Sequence, residues 1–142
     1  MTYKRKDQIK ELLYSYADNR RKAAEIERAI IEGTPGKTVA VMTGPGDPTG
    51  SRAIQLAMNT ELAELRWKIK VVDRFIEHIA GLPTERRQQE IDIIRYIYTE
   101  KRSLAQTAAR IGVTERWLRD RNQAMLRILE GISIAFQENT VT

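Results

Sequence analysis

Apolar residues recur at helical spacing over most of the chain, and the long interruption falls in one place. Between Lys6 and Glu32 there is no Gly or Pro. Ile9, Leu12, Leu13, Tyr16, Ala23, Ile26 and Ile30 follow at mixed three- and four-residue steps, with Asn19 and Arg20 breaking the stripe. This predicts one long amphipathic helix that stops at Gly33. From Gly33 to Gly50 the chain carries five of its eight glycines and three of its four prolines, the signature of a long loop. Within it, Lys37 to Met42 is a candidate short extended piece. From Ser51 to Ala80 the periodicity is at its clearest. Ile54, Met58, Leu62, Leu65, Ile69, Val72, Ile76 and Ile79 recur at steps of four and three, close to a heptad seam. Ser51 is the expected N-cap and Gly81 the expected stop. A helix of that length spans about 45 Å at 1.5 Å per residue and cannot bury its seam alone. The two long helices therefore predict an antiparallel, coiled-coil-like hairpin, with a second copy in an oligomer as its natural extension.

Beyond Leu82 the pattern shortens. Pro83 suits a first helical turn and Glu85 supplies early negative charge. Ile91, Ile94, Tyr96, Ile97 and Tyr98 build an apolar face, and Lys101 and Arg102 lie near the end of that helix. A short helix over Leu104–Ile111, a turn at Gly112-Val113-Thr114 and a longer helix from Glu115 to about Glu130 complete the chain. The expected fold is all-α, with residues 1–81 as the hairpin and its 33–50 loop, and residues 82–142 as a helix-turn-helix domain. Such a corner needs a small residue where its helices cross (Ala108), a glycine in the turn (Gly112), apolar flanks (Ile111 and Val113) and an inward apolar residue on the second helix (Leu118). Thr107 is polar where an apolar residue is commoner. Thr114 is placed to cap the second helix. Trp117, beside Leu118, is expected to pack the corner rather than to touch a ligand.

Composition removes alternatives. The 142 residues contain no Cys and one His, so thiolate metal sites, disulfides and most His-based nucleophilic chemistry are excluded. His78 sits alone near the end of the seam, where a surface role is expected. Glu25/Glu27 and Glu61/Glu64 lie on polar faces without a pocket signature. Gly33-Thr-Pro-Gly-Lys-Thr38 fails the phosphate-loop spacing, because only two residues separate Gly33 from Gly36 and no apolar strand precedes. No enzyme, cofactor or metal is expected. The basic opening, Met1 to Lys6, leads into no apolar stretch of the secretory type, so a cytoplasmic protein without a membrane partner is expected.

The formal net charge is +5, which by itself says little. Its distribution says more. Lys101, Arg102, Arg110, Arg116, Arg119 and Arg121 face only Glu115 and Asp120 between positions 101 and 121, a local excess of +4. Arg116, Arg119 and Gln123 fall near one face of the second helix, opposite Leu118, where they can reach base edges; arginine is the natural bidentate partner of guanine. Lys101 and Arg102 suit phosphates. With Thr114 and Asp120 they make up the candidate DNA-binding set. Two further basic clusters, Lys4-Arg5-Lys6 with Lys10 and Arg20-Arg21-Lys22, fit either phosphate contact or a solvated face.

Leu82-Pro83-Thr84-Glu85-Arg86-Arg87, Ile91-x-x-Ile94-Arg95-Tyr96 and Ser103-Leu104-x-x-Thr107-Ala108-x-x-Ile111-Gly112-Val113-Thr114-x-x-x-Leu118-x-x-Arg121 resemble region 4 of bacterial sigma factors. Asn122 stands where that pattern carries an apolar residue, and no sigma region 2 precedes it. With the long helical first half, the whole chain is similar to phage late-gene transcription activators of the ArpU/RinA type. That resemblance implies a regulator, acting in a bacterial host cell, that binds double-stranded promoter DNA and helps host RNA polymerase start there, with Arg116, Arg119 and Gln123 on the recognition helix. Homo-oligomerisation follows from physical need, since one such corner reads few base pairs. Two other readings stay open: a small terminase-type DNA-packaging protein, and a polymerase-binding adaptor that does not read DNA.

Overall fold

The computed structural model describes residues 3–32 and 48–141, and every regular element among them is helical. The order is α1 (Tyr3–Tyr14), α2 (Tyr16–Ile31), α3 (Pro48–Ala80), α4 (Thr84–Ile93), a π-helical segment (Ile94–Thr99), α5 (Leu104–Ile111) and α6 (Glu115–Val141). The all-α class expected from periodicity is therefore observed. Most of the Gly/Pro-rich stretch, with its candidate extended piece and the Gly33–Thr38 run, lies outside the described residues. Its last three residues do not: Pro48 opens α3, so Ser51 sits inside the helix and is not its N-cap. A proline in the first turn loses nothing, because its missing N–H would have had no intrahelical partner.

The first predicted helix is two. Ser15 interrupts it, its hydroxyl donating to the Glu11 carbonyl at 2.6 Å. Its N–H donates to the same carbonyl at 2.9 Å, so hydroxyl and backbone share one acceptor, and the next helix starts at Tyr16.

The chain divides by packing into two compact units, Met1–Tyr16 with Lys70–Thr142, and Ala17–Ile69. In the second of these, Ala23 of α2 packs with Leu62 and Leu65 of α3, flanked by Ile26 and Ile69. Arg66 donates to Glu27 at 3.1 Å, and Arg21 pairs with Asp18 and Glu25 on its own helix.

The other unit holds the larger core. Tyr98, Phe75, Ile93, Leu118, Met125, Leu126, Leu129 and Val71 are essentially inaccessible, and Ile9, Leu12 and Leu13 of α1 are buried in the same unit. Here the seam read on α3 departs from its heptad. Val71, Val72, Phe75 and Ile79 are inside, whereas Ile76 is 44% exposed. A helix packed on several sides buries a wider arc than a two-stranded seam, and that arc is centred one residue off the predicted line. Ile76 instead lines an apolar groove of about 320 Å³ with Ile79, Ile91 and Ile94, rimmed by Arg87 and Arg95.

Pro83 precedes α4 as its N-cap residue rather than occupying its first turn. After Ile93 the backbone widens: the Glu100 N–H donates five residues back to the Arg95 carbonyl at 2.8 Å. The wider turn brings Ile97 and Tyr98 inside with Ile93, while Lys101 and Arg102 fall in the connection that follows, Lys101 with a left-handed φ of 54°.

Candidate nucleic-acid interface

The corner formed by α5 and α6 is built by local hydrogen bonds. Ser103 and Gln106 cap α5 reciprocally: the Gln106 N–H donates to Ser103 Oγ at 3.1 Å, and the Ser103 N–H to Gln106 Oε1 at 3.2 Å. Gly112 ends the helix at φ 84°, and both its N–H and that of Val113 donate to the Ala108 carbonyl. A Cβ on Gly112 would meet nothing within 4 Å, so the demand for glycine comes from the left-handed backbone and not from crowding. Thr114 starts α6 by accepting the Trp117 N–H on its hydroxyl at 3.0 Å. Ala108, Thr107 and Leu118 are buried at the crossing. Trp117 is half-buried, with the Arg121 guanidinium 5.2 Å from its ring centroid, an arrangement that holds Arg121 against the protein.

Asn122 has a partner that the sequence does not reveal. The buried Tyr98 hydroxyl donates to Asn122 Oδ1 at 2.6 Å, and the Tyr98 ring lies 4.9 Å from that of Tyr14 on α1. A buried hydroxyl needs an acceptor, and an amide at position 122 supplies it. Burial pushes the Tyr98 phenol well above its ordinary value, opposed in part by this hydrogen bond.

The predicted DNA-binding residues separate into three groups. Arg116, Arg119, Asp120 and Gln123 share one face of α6 by helical spacing, the first three of them exposed. Thr114 is committed to the cap. Lys101 and Arg102 lie in the connection, Lys101 exposed. Arg102 is tethered, its guanidinium bound to Glu100 at 3.0 Å and lying 5.6 Å from the Tyr96 ring, which Arg95 also approaches. Arg110 hydrogen-bonds to the same tyrosine, which raises its pKa further above the ordinary arginine value.

A concave surface of about 350 Å³ joins part of this set to residues from the other end of the chain. Arg119, Asn122 and Gln123 of α6 and Arg102 and Ser103 of the connection line it together with Lys6, Lys10 and Tyr14 of α1. No carboxylate lines it. A smaller depression continues along α6 past Lys6 and Gln123 to Arg127. Lys6, Lys10 and Tyr14 recur at four-residue steps, so they share one face of α1, while Ile9, Leu12 and Leu13 anchor another in the core. Arg5 also fastens α1 to α6, pairing with Glu130 at 3.3 Å. Among the described residues, Lys6, Lys10, Arg116, Arg119 and Arg127 form no ion pair, whereas Arg5, Arg21, Arg66, Arg74, Arg86, Arg95 and Arg102 all do. Of the cations lining this surface, Arg102 alone has an ion-pair partner among the described residues, Glu100. Sequence reading missed the meeting of α1 with α6. The signal it had was the four-residue recurrence of Lys6 and Lys10 along the flank of the Ile9–Leu13 face of α1.

Among the described residues no group of His, Asp and Glu is arranged to hold a metal ion, and no helix is long and apolar enough to cross a membrane. The chain matches no protein-family model, no curated protein and no solved structure.

Proposed function

We propose that the protein is a sequence-specific, double-stranded-DNA-binding transcription regulator, in which α5 and α6 act as a helix-turn-helix and α6 enters the major groove. The observation that carries this reading is the pair of unpaired arginines at the start of α6, beside a groove whose lining holds no carboxylate. Arg116 and Arg119 offer guanidinium groups that no protein carboxylate neutralises, and Gln123 offers an amide one turn further on. Arginine is suited to the O6/N7 edge of guanine, and glutamine to adenine. The tight cap at Thr114 and the buried Leu118 fix the axis of α6, so that these side chains project from a rigid element. α2 and α3 serve in this reading as an antiparallel hairpin whose apolar surface supports self-association. Two copies are needed because a useful site spans two half-sites about one helical turn, 34–36 Å, apart. Activation of late or packaging genes of a phage, with host RNA polymerase, is the regulatory role suggested by the sigma region 4 resemblance.

The test is selection of bound sequences from a random duplex pool by the purified protein, followed by transcription with purified polymerase from the enriched site. Recovery of one recurring motif, lost when Arg119 is changed to Ala, is the expected result. A pool that stays random, together with no salt-dependent affinity for any duplex, overturns the reading.

A further inference from the structure

We propose that α1 forms the second wall of the DNA-binding surface, and that the groove between Lys6 and Lys10 on α1 and Arg119 and Gln123 on α6 seats a phosphodiester of the DNA backbone. This rests on the DNA reading above but concerns a different part of the chain. Three observations carry it. The groove gathers Lys6, Lys10, Arg102 and Arg119 from three separate segments, with no carboxylate in its lining. Lys6, Lys10 and Arg119 have no ion-pair partner among the described residues. The wall is also held in place: the Arg5–Glu130 pair and the burial of Ile9, Leu12 and Leu13 fix α1.

Arg102 brings its own partner, Glu100, but Lys6, Lys10 and Arg119 are gathered without counter-charge and repel one another, which favours an anion among them. Ser103 adds a neutral hydrogen-bonding group at the same place, a mixture suited to phosphate oxygens. The division of labour follows from chemistry. A lysine ammonium is a point charge without planar geometry, so Lys6 and Lys10 hold the backbone in any sequence, while Arg119 stands beside them with a fork able to read a base. Lys6 and Lys10 lie over 90 residues from the recognition helix in sequence and act with it on one duplex.

The experiment uses the full chain and a fluorescent duplex, measuring affinity as a function of salt. Losing this one phosphate contact should lower the slope of log K against log salt by about 0.9 in a Lys6→Ala/Lys10→Ala variant. Binding to a selected site and to a random duplex should weaken by the same factor. Lys6→Arg/Lys10→Arg should keep the wild-type slope. Arg28→Ala/Lys68→Ala, which removes equal charge from α2 and α3 outside any candidate contact, should leave the slope nearly unchanged. Helicity and melting midpoint verify that each variant is folded. A Lys6→Ala/Lys10→Ala protein that is folded and retains the full slope overturns the proposal, and leaves the DNA reading standing. Tight binding of inorganic phosphate at Lys6 and Lys10, without a change in the duplex slope, overturns it as well and assigns the groove to a free anion. Absence of duplex binding by the wild type removes the DNA reading itself.

Discussion

The two compact units bury their apolar residues to very different depths. Among the described residues of the 17–69 unit the apolar core is Ala23, Leu62 and Leu65, each 5–7% exposed, while Ile31 and Leu56 stand largely in solvent. In the unit that holds α5 and α6, Phe75, Ile93, Leu118, Leu126 and Leu129 are wholly inaccessible. Charges do not sort by unit: Arg21 and Arg66 find carboxylates within the former, and Arg5, Arg74, Arg86, Arg95 and Arg102 within the latter, where Lys6, Lys10 and Arg119 have no ion-pair partner among the described residues. A regular seam thus accompanies the thinner core, and an irregular pattern the deeper one. Two helices bury a stripe, whereas a helix surrounded by several neighbours buries an arc, and the arc needs no heptad regularity.

The largest effect that tests this contrast is Leu118→Ala. A fully buried leucine removed at a crowded crossing should cost about 2–5 kcal/mol, read by chemical denaturation. Leu65→Ala should fall toward the low end of that range, because its surroundings are thin enough to relax. Equal losses at the two positions would erase the difference in core quality.

Next in size is Asn122→Ala, which strands the Tyr98 hydroxyl without its acceptor and should cost about 1–3 kcal/mol. Adding Tyr98→Phe should restore part of the loss, and a strictly additive double variant would show that the bond carries no stability. The same phenol responds to pH. Burial raises its folded pKa above the ordinary 10.0, so the folded state keeps a proton that the unfolded chain releases. Stability should therefore be intact below pH 10 and decline as pH rises beyond it; in Tyr98→Phe that part of the decline should vanish from melting curves.

Arg119→Ala tests the charge half of the comparison. Specific duplex affinity should weaken by about 1–3 kcal/mol for a bidentate base contact, with the melting midpoint unmoved, since nothing in the fold depends on this guanidinium. A large loss of stability would mean that the residue belongs to the fold rather than to a ligand.

The smallest effect expected is a gain. Gly131 lies inside α6, exposed, with open space where a Cβ would sit. Gly131→Ala should stabilise by about 0.5–1 kcal/mol through the lost backbone freedom of the unfolded chain.

Much of the corner was legible. Gly112, Thr114, Ala108 and Leu118 do what their residue types and spacing suggest, because a cap, a left-handed turn and an inward leucine are set within a few residues of one another. The break at Ser15 was not legible, since serine is tolerated inside many helices. Ile76 was misplaced for a related reason: periodicity gives a direction of burial, but the neighbours decide its width. Asn122 looked out of place until Tyr98, 24 residues away, supplied its reason. Thr107 is buried, as its place in the corner requires, whereas the burial of Glu90 has no counterpart in the sequence pattern.

The sequence by itself determined the helical class, the turn at Gly112 and the excess of positive charge around α6, because each depends on neighbours within a turn or two. Only the tertiary structure decided which of those charges remain unpaired and what stands beside them. Ion pairing and groove formation join residues as far apart as Lys6 and Arg119, and their meeting is set by the burial of Ile9, Leu12 and Leu13 and by the Arg5–Glu130 pair.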